Sequence, residues 1–347
     1  MHESIVYHQK PIHWLTKKLT VAKSIAAISI LALSQSVSGA DGIITFTWEN
    51  DMFSNNDGQY TNGIGFNYAH PLGSRFKEDF TPSPIYWLIK DTDFANEAGK
   101  RRGVYHQFGQ AMYTPEDITT SALIEDDRPY AGLLLWSTSL VSFDNTLSDR
   151  WTFSLGLIGP SAFAEDVQKQ FHKMTESDEP QGWDNQLNNE PVFKVERSML
   201  FRALELELNP SFGMDFLTFG SIGAGTLSSD AKAGISLRIG HSLDQTYPTF
   251  SSFPVRNPNY LSGRSAHWQI FASRAKSYVN NDITLDGNTF TDSHSVDLIN
   301  ERMFSVVGVS IGFQSWSMML SYQESSKTFE TQTEEHSYGA LSLSAIW

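Results

Sequence analysis

Cysteine is absent from all 347 residues, which excludes a disulfide framework, a thiol nucleophile and a zinc centre built on thiolates. Also missing after residue 40 is any apolar run long enough for a membrane helix, which takes about 20 residues. Basic charge is scarce: 25 Lys and Arg stand against 39 Asp and Glu, a formal net charge of −14. A chain this acidic is poorly suited to gripping a phosphate backbone, so no nucleic-acid role is expected.

Ahead of the acidic body lies a short basic and apolar lead. Lys17, Lys18 and Lys23 precede an apolar run from Ser24 to Leu33, and Ser38-Gly39-Ala40 offers small residues for cleavage, so residues 1–40 are expected to be a secretory signal. The run is too short for a retained spanning helix. Its removal takes four lysines and one glutamate, leaving 21 basic against 38 acidic residues, or −17 over 41–347. An exported chain of this size without a bridge must draw its stability from one large cooperative structure, and a closed barrel supplies that.

The hydrophobic signal over 41–347 comes in period-two stretches. Val307, Val309, Ile311 and Phe313 alternate with Val306, Gly308, Ser310 and Gly312, and Trp316, Met318, Leu320 and Tyr322 alternate with Ser317, Met319, Ser321 and Gln323. Trp151, Phe153, Leu155 and Leu157, and later Ile235, Leu237 and Ile239, repeat the pattern. Periodicity alone fits a soluble sandwich with apolar residues inward or a membrane barrel with apolar residues outward. The export signal, aromatic residues at strand ends and a last amphipathic stretch Leu341, Leu343, Ala345, Trp347 favour the barrel.

Such stretches number about twelve, near 43–50, 60–69, 104–112, 130–141, 151–158, 194–206, 211–225, 231–241, 266–279, 296–314, 315–323 and 337–347. The expected fold is therefore all-β, a 12-stranded antiparallel transmembrane β-barrel over 41–347, closed so that no edge meets lipid. A closed barrel needs no partner, so a single chain is expected. With both ends in the periplasm, the loops near 51–59, 113–129, 159–193, 226–230, 280–295 and 324–336 face outward. Residues 70–103 form an unusually long connection at the periplasmic end, with a small helix expected from Pro84 to Asp91.

Loop 159–193 is the longest outer loop. Ala164 to Met174 favours a short helix, with Val167, Phe171 and Met174 on one stripe and His172 beside Gln168, about 100° away. A helix at the barrel rim can hold that imidazole against the wall; a lone loop histidine is otherwise an ordinary surface residue. A second group is Asn50-Asp51, ending the first strand, with Thr61 in the second, where Tyr60, Asn62, Ile64, Phe66 and Tyr68 share a face and Thr61 falls with Gly63, Gly65 and Asn67 on the lumen side. These are hard oxygen donors of the kind Ca²⁺ takes, or plain loop-end residues. All four, His172, Asn50, Asp51 and Thr61, map to the outer end of the barrel. No serine is expected in a nucleophile elbow, so attack by water fits better than an acyl-enzyme. Arg128, Glu205 and Glu207 are expected to face the lumen in a structural polar network.

The chain resembles the lipid A 3′-O-deacylase (LpxR) family. The resemblance rests on Gly159-Pro160-Ser161, Asp166-Val167-Gln168, Phe171-His172-Lys173, Gly182-Trp183-Asp184-Asn185-Gln186-Leu187 and Asn189-Glu190-Pro191. It is also carried by Glu49-Asn50-Asp51-Met52-Phe53, Tyr60-Thr61-Asn62-Gly63 and Asp127-Arg128-Pro129-Tyr130-Ala131-Gly132, and spans essentially all of 41–347. It implies a twelve-stranded outer-membrane barrel that, with Ca²⁺, cleaves the 3′-linked acyloxyacyl group of lipid A in lipopolysaccharide, its active site facing the extracellular leaflet. It further implies His172 as general base, Asn50, Asp51 and Thr61 as active-site residues, and Asp51 and Asp178 as metal-holding candidates. One position departs. Where the family pattern has a lysine after the third strand's Tyr-x-Pro, the loop Thr114 to Asp127 has neither Lys nor Arg but carries Glu116, Asp117, Glu125, Asp126 and Asp127. Two other readings stand beside the esterase: a passive outer-membrane channel, which requires an open lumen, and a catalytically inactive lipid-binding barrel.

Overall fold

A computed structural model of the protein describes residues 42–51, 59–209, 212–247, 266–313 and 315–346, with the backbone alone at 59–61 and 346. The expected signal segment, the terminal Trp347 and the side chain of Thr61 lie outside the described residues.

Twelve antiparallel strands follow the chain: β1 Ile43–Asn50, β2 Gln59–Ala69, β3 Arg101–Thr114, β4 Ala131–Phe143, β5 Leu147–Ile158, β6 Glu190–Asn209, β7 Phe212–Ala224, β8 Ser228–His241, β9 His267–Asp282, β10 Glu301–Phe313, β11 Trp316–Ser325 and β12 His336–Ile346. Each pairs with its sequence neighbours, and β1 pairs with β12 to close the ring. The period-two pattern explains the closure. Small and polar residues turn inward and meet across the ladder, as in Thr45–Ser344 at 2.8 Å, Thr47–Ser342 at 2.9 Å and Ser137–Ser154 at 2.8 Å. Ile235, Leu237, Ile270, Val307 and Val309 turn outward and are exposed, the inverse of a soluble core and the arrangement lipid requires.

The strand boundaries match expectation to within a few residues, with one exception at β10. It begins at Glu301 instead of 296, because Leu298 leaves the ladder to bridge Phe329 and the Val296 N–H donates to the Leu285 carbonyl. Among the described residues four short α-helices decorate the barrel: α1 Ser83–Ile89 and α2 Asp93–Asn96 in the β2–β3 connection, α3 Ala164–Thr175 in the β5–β6 loop, and α4 Ile283–Asp286 after β9. Among the described residues no helix is long and apolar enough to cross a membrane.

Among the described residues, side chains pack into both ends of the lumen. At the end carrying the termini, Arg238 donates to Asp215 through Nε at 2.8 Å and Nη2 at 2.5 Å, and both side chains are fully buried. Arg202 pairs with the same carboxylate at 3.4 Å and lies 4.1 Å over Tyr247, which packs with Leu200, Leu217, Phe271, Val306 and Met319. At the opposite end, α4 is capped by Asp282 and folds inward, burying Ile283 with Tyr113, Leu133, Ile158, Leu187 and Val192. Arg128 is buried there as expected, donating to Thr284 at 3.1 Å above the Tyr113 ring. Glu205 pairs with Arg202 but is exposed, as is Glu207.

Candidate active site

The outward side of β1 to β4 is built differently at the end away from the termini. Trp48, Asn50, Asn62 and Met112 occupy positions that face lipid elsewhere on the barrel, yet all are buried. The reason is α3, which lies against the outer wall. Ala164, Val167, Met112, Tyr130 and Trp183 form one cluster, and Phe171 packs on Trp48 with ring centroids 6.5 Å apart. The Trp48 indole N–H donates to Asn62 Oδ1 at 2.9 Å, satisfying a buried donor within the wall.

The wall-facing stripe of α3 is Ala164, Gln168 and Thr175, all buried, with Val167 and Phe171 packing beside it. Met174, expected on that stripe, is instead exposed. A polar residue can occupy the stripe because Gln168 Oε1 accepts from the Trp183 indole at 2.7 Å, with both side chains buried. Sequence reasoning missed Gln168 and Trp183 as a pair; the signal available was the Asp-Val-Gln and Gly-Trp-Asp motifs flanking His172. One turn along from Gln168, His172 is half-buried on the same side.

The helix stops immediately after it. Glu176 adopts a left-handed conformation with φ 56°, and the Ser177 N–H bonds the His172 carbonyl at 2.9 Å. That turn returns the Asp178 backbone carbonyl to within 2.5 Å of His172 Nδ1. A carbonyl only accepts, so Nδ1 must carry the proton and Nε2 keeps its lone pair. Asp178 therefore supplies its backbone here, and its carboxylate is exposed.

Asn50 and Asp51 are almost completely buried at the end of β1. Asn50 lies two residues beyond Trp48, and Trp48 touches the residue preceding His172. The structure thus brings His172, Asn50 and Asp51 to one end of the barrel. Thr61 lies on β2 between Tyr60 and Asn62, where the pairing with β3 shifts register. Among the described residues no three His, Asp or Glu side chains gather at a metal-binding spacing. Asn50 and Asp51 are hard-oxygen donors that fit a calcium ion in kind, and the remaining oxygens of its usual six to eight would come from elsewhere.

The acidic loop after β3 folds against this assembly. The Gln181 N–H donates to the Ile118 carbonyl and the Asn185 amide to the Ser121 carbonyl, both at 2.8 Å. Three of its carboxylates have structural partners, Glu116 accepting from the Thr333 hydroxyl at 2.8 Å. Asp117 accepts from the Thr119 and Thr120 hydroxyls, which hold it down at about 2. Asp127 accepts from the Glu116 and Arg128 N–H groups, although burial raises its pKa overall. One string with nucleophile-elbow spacing went unnoticed in the sequence, Gly308-Val309-Ser310-Ile311-Gly312. It lies within β10, laddered on both sides and with Ser310 buried, not on a strand-to-helix turn.

Comparisons with known proteins place the chain as a whole. A family model described as "Outer membrane protein LpxR" matches residues 19–347. The structure of LpxR from Salmonella typhimurium superposes with a TM-score of 0.73 at 17% identity, covering 88% of this chain and 100% of that one. The β domain of the Bordetella autotransporter Brka has a TM-score of 0.42 at 8% identity, covering 89% and 98% of the two chains. No curated protein sequence matches. The Salmonella likeness shows the fold.

Proposed function

The chain belongs to the LpxR family of outer membrane proteins, and on that premise we propose that it is a Ca²⁺-dependent esterase removing the 3′-linked acyloxyacyl group of lipid A. The observation that carries the reading is the hydrogen bond from His172 Nδ1 to the Asp178 carbonyl, which leaves Nε2 free to take a proton from water. The helix holding that imidazole lies on the outer wall, where a lipid would be met, and not over the lumen. Below it the wall exposes Phe66 at 54%, Phe108 at 50% and Leu155 at 58%, an apolar strip that suits the acyl chains of the substrate.

Asp51 and Asp178, with Asn50 beside Asp51, are the residues proposed to hold calcium, and Thr61 a polar wall of the site. A calcium ion there would stabilise negative charge developing on the ester oxygen. In the orientation proposed, both chain termini are periplasmic and the site serves the extracellular leaflet. Against a passive channel stand the side chains packed into the lumen, the Arg238–Asp215–Arg202 cluster at one end and the inward-folded α4 at the other. The acidic loop in place of a lysine favours one second reading, a family member that binds lipid without turning it over.

The deciding experiment incubates the purified, membrane-folded protein with lipid A with and without a calcium chelator. Release of a fatty acyl product by mass spectrometry, lost with chelator, is the expected result. Calcium binding with no product at any calcium concentration would favour the inactive reading.

A further inference from the structure

The long connection between β2 and β3, expected as an insertion without assigned purpose, is wrapped round the outside of the barrel at the end carrying the termini. Its Phe76, Ile89 and Ala95 pack on Val104 and Leu140. Val104 and Leu140 occupy outward wall positions, equivalent to those where Ile235, Leu237, Ile270 and Val309 are exposed, yet they are buried. The Phe80 carbonyl lies 3.0 Å from His106 Nε2, and His106 Nδ1 lies 3.0 Å from the Thr138 hydroxyl, so even polar groups of the outer wall are satisfied under this cover.

The cover reaches well into the apolar band. His106 lies five residues along β3 from Arg101 at the termini end. At about 3.3 Å per residue and a tilt near 40° that is ~13 Å, roughly half of the ~25 Å apolar height of an outer-membrane barrel. At that depth the outer surface of the segment takes the place of the wall. On that surface α1 presents Trp87 at 63% and Leu88 at 67% exposure, with Lys90 Nζ 3.6 Å over the Trp87 ring and Lys77 Nζ 4.8 Å over Phe80. An exposed tryptophan beside an exposed leucine, with one lysine over the Trp87 ring and a second over Phe80, is the chemistry of a lipid headgroup boundary.

We infer that residues 70–100 form a collar embedded in the periplasmic leaflet, with Trp87 and Leu88 among phospholipid acyl chains and Lys77 and Lys90 at headgroup phosphates. Phospholipid is the occupant because the collar's exposed face continues the lipid-facing wall on either side of it. With α3 covering the outer end and the collar the inner, β2 to β5 offer lipid only a narrow strip of bare wall.

The test uses the mature chain folded in phospholipid vesicles. Because the chain has no cysteine, a nitroxide attached through Leu88→Cys is unique, and its collisions with oxygen and with a water-soluble nickel chelate report its surroundings. The expected result is oxygen preference matching a label at Ile270→Cys on the bare wall and opposite to one at Glu125→Cys in the acidic loop. Nickel preference at Leu88 would overturn the inference. Independently, brominated phospholipid should quench a part of the tryptophan emission that Trp87→Phe removes; equal fractional quenching in both proteins would overturn it as well. Neither readout depends on hydrolysis, so failure of the esterase reading leaves them intact.

Discussion

The approach of α3 to the wall is controlled by one glycine, and this gives a sharp test of whether helix placement matters to the chemistry. A Cβ at Gly132 on β4 would lie 2.7 Å from Ala164 Cβ, 3.3 Å from Ala162 Cβ and 3.4 Å from the Gly159 carbonyl. Carbon atoms in contact prefer about 3.5–4.0 Å, so Gly132→Ala demands a shift near 1 Å. The strand cannot supply it, because Gly132 is laddered to Met112 of β3 and its carbonyl accepts from the Gly159 N–H at 2.9 Å. Ala164 and the helix it starts must move, and His172 rides on that helix eight residues later, about 12 Å along. A displacement of ~1 Å at a catalytic group costs on the order of 10²-fold in rate. The assay is lipid A turnover followed by mass spectrometry, with resistance of the folded barrel to heat in detergent as the control. Expected is a loss of that order with the barrel intact. Turnover within about threefold of wild type, far less than such a misplacement predicts, would show that α3 does not position the reacting group.

Four further outcomes follow from the same geometry. His172→Ala abolishes acyl release while leaving barrel folding unchanged; retained release removes His172 from the mechanism. Asp178→Ala leaves turnover at saturating calcium near wild type, because His172 is held by the Asp178 backbone, and raises the calcium needed to reach it; a fall at every calcium concentration would place the orienting role in the side chain. Trp183→Phe strands the buried Gln168 amide, costing about 1–3 kcal/mol, and speeds amide hydrogen exchange in α3 but not in the strands; uniform exchange would refute a locally docked helix. Asp215→Ala leaves Arg238 buried without its carboxylate, a loss of about 3–5 kcal/mol read as an earlier unfolding midpoint in urea.

Twelve strands could be read from the sequence because inward and outward residues alternate in nearly every one, and a period of two admits little freedom of register once one side meets lipid. The position of His172 beside Gln168 followed from helix geometry alone. What could not be read was the face that α3 turns to the wall. Hydrophobicity selected Val167, Phe171 and Met174, whereas the wall took Gln168 and left Met174 exposed. The deciding contact, from Trp183 to Gln168, joins residues fifteen apart across a turn, and no periodicity encodes it. The collar was illegible for a related reason: Trp87 and Leu88 in the sequence suit a buried helix as well as an exposed one, and only packing against Val104 and Leu140 decides which side they present.

Outward positions of a membrane barrel that carry amide or imidazole side chains have to be reconciled with lipid, which offers no hydrogen-bond partner. Here Asn50 and Asn62 are buried under α3, Gln110 donates to the Ala162 carbonyl at 2.5 Å, and His106 is covered by the collar. Each marks wall that a loop has withdrawn from the bilayer. The inward face shows the opposite economy: its charges pair among themselves, as Arg238 does with Asp215 and Lys194 with Glu196 at 3.2 Å. Polar groups on the inside of this barrel therefore serve closure, and those on the outside mark where it has built something against its own wall. On the proposed function, that asymmetry puts the chemistry at the lipid boundary, since a substrate for His172 would come along the outer surface on which α3 lies.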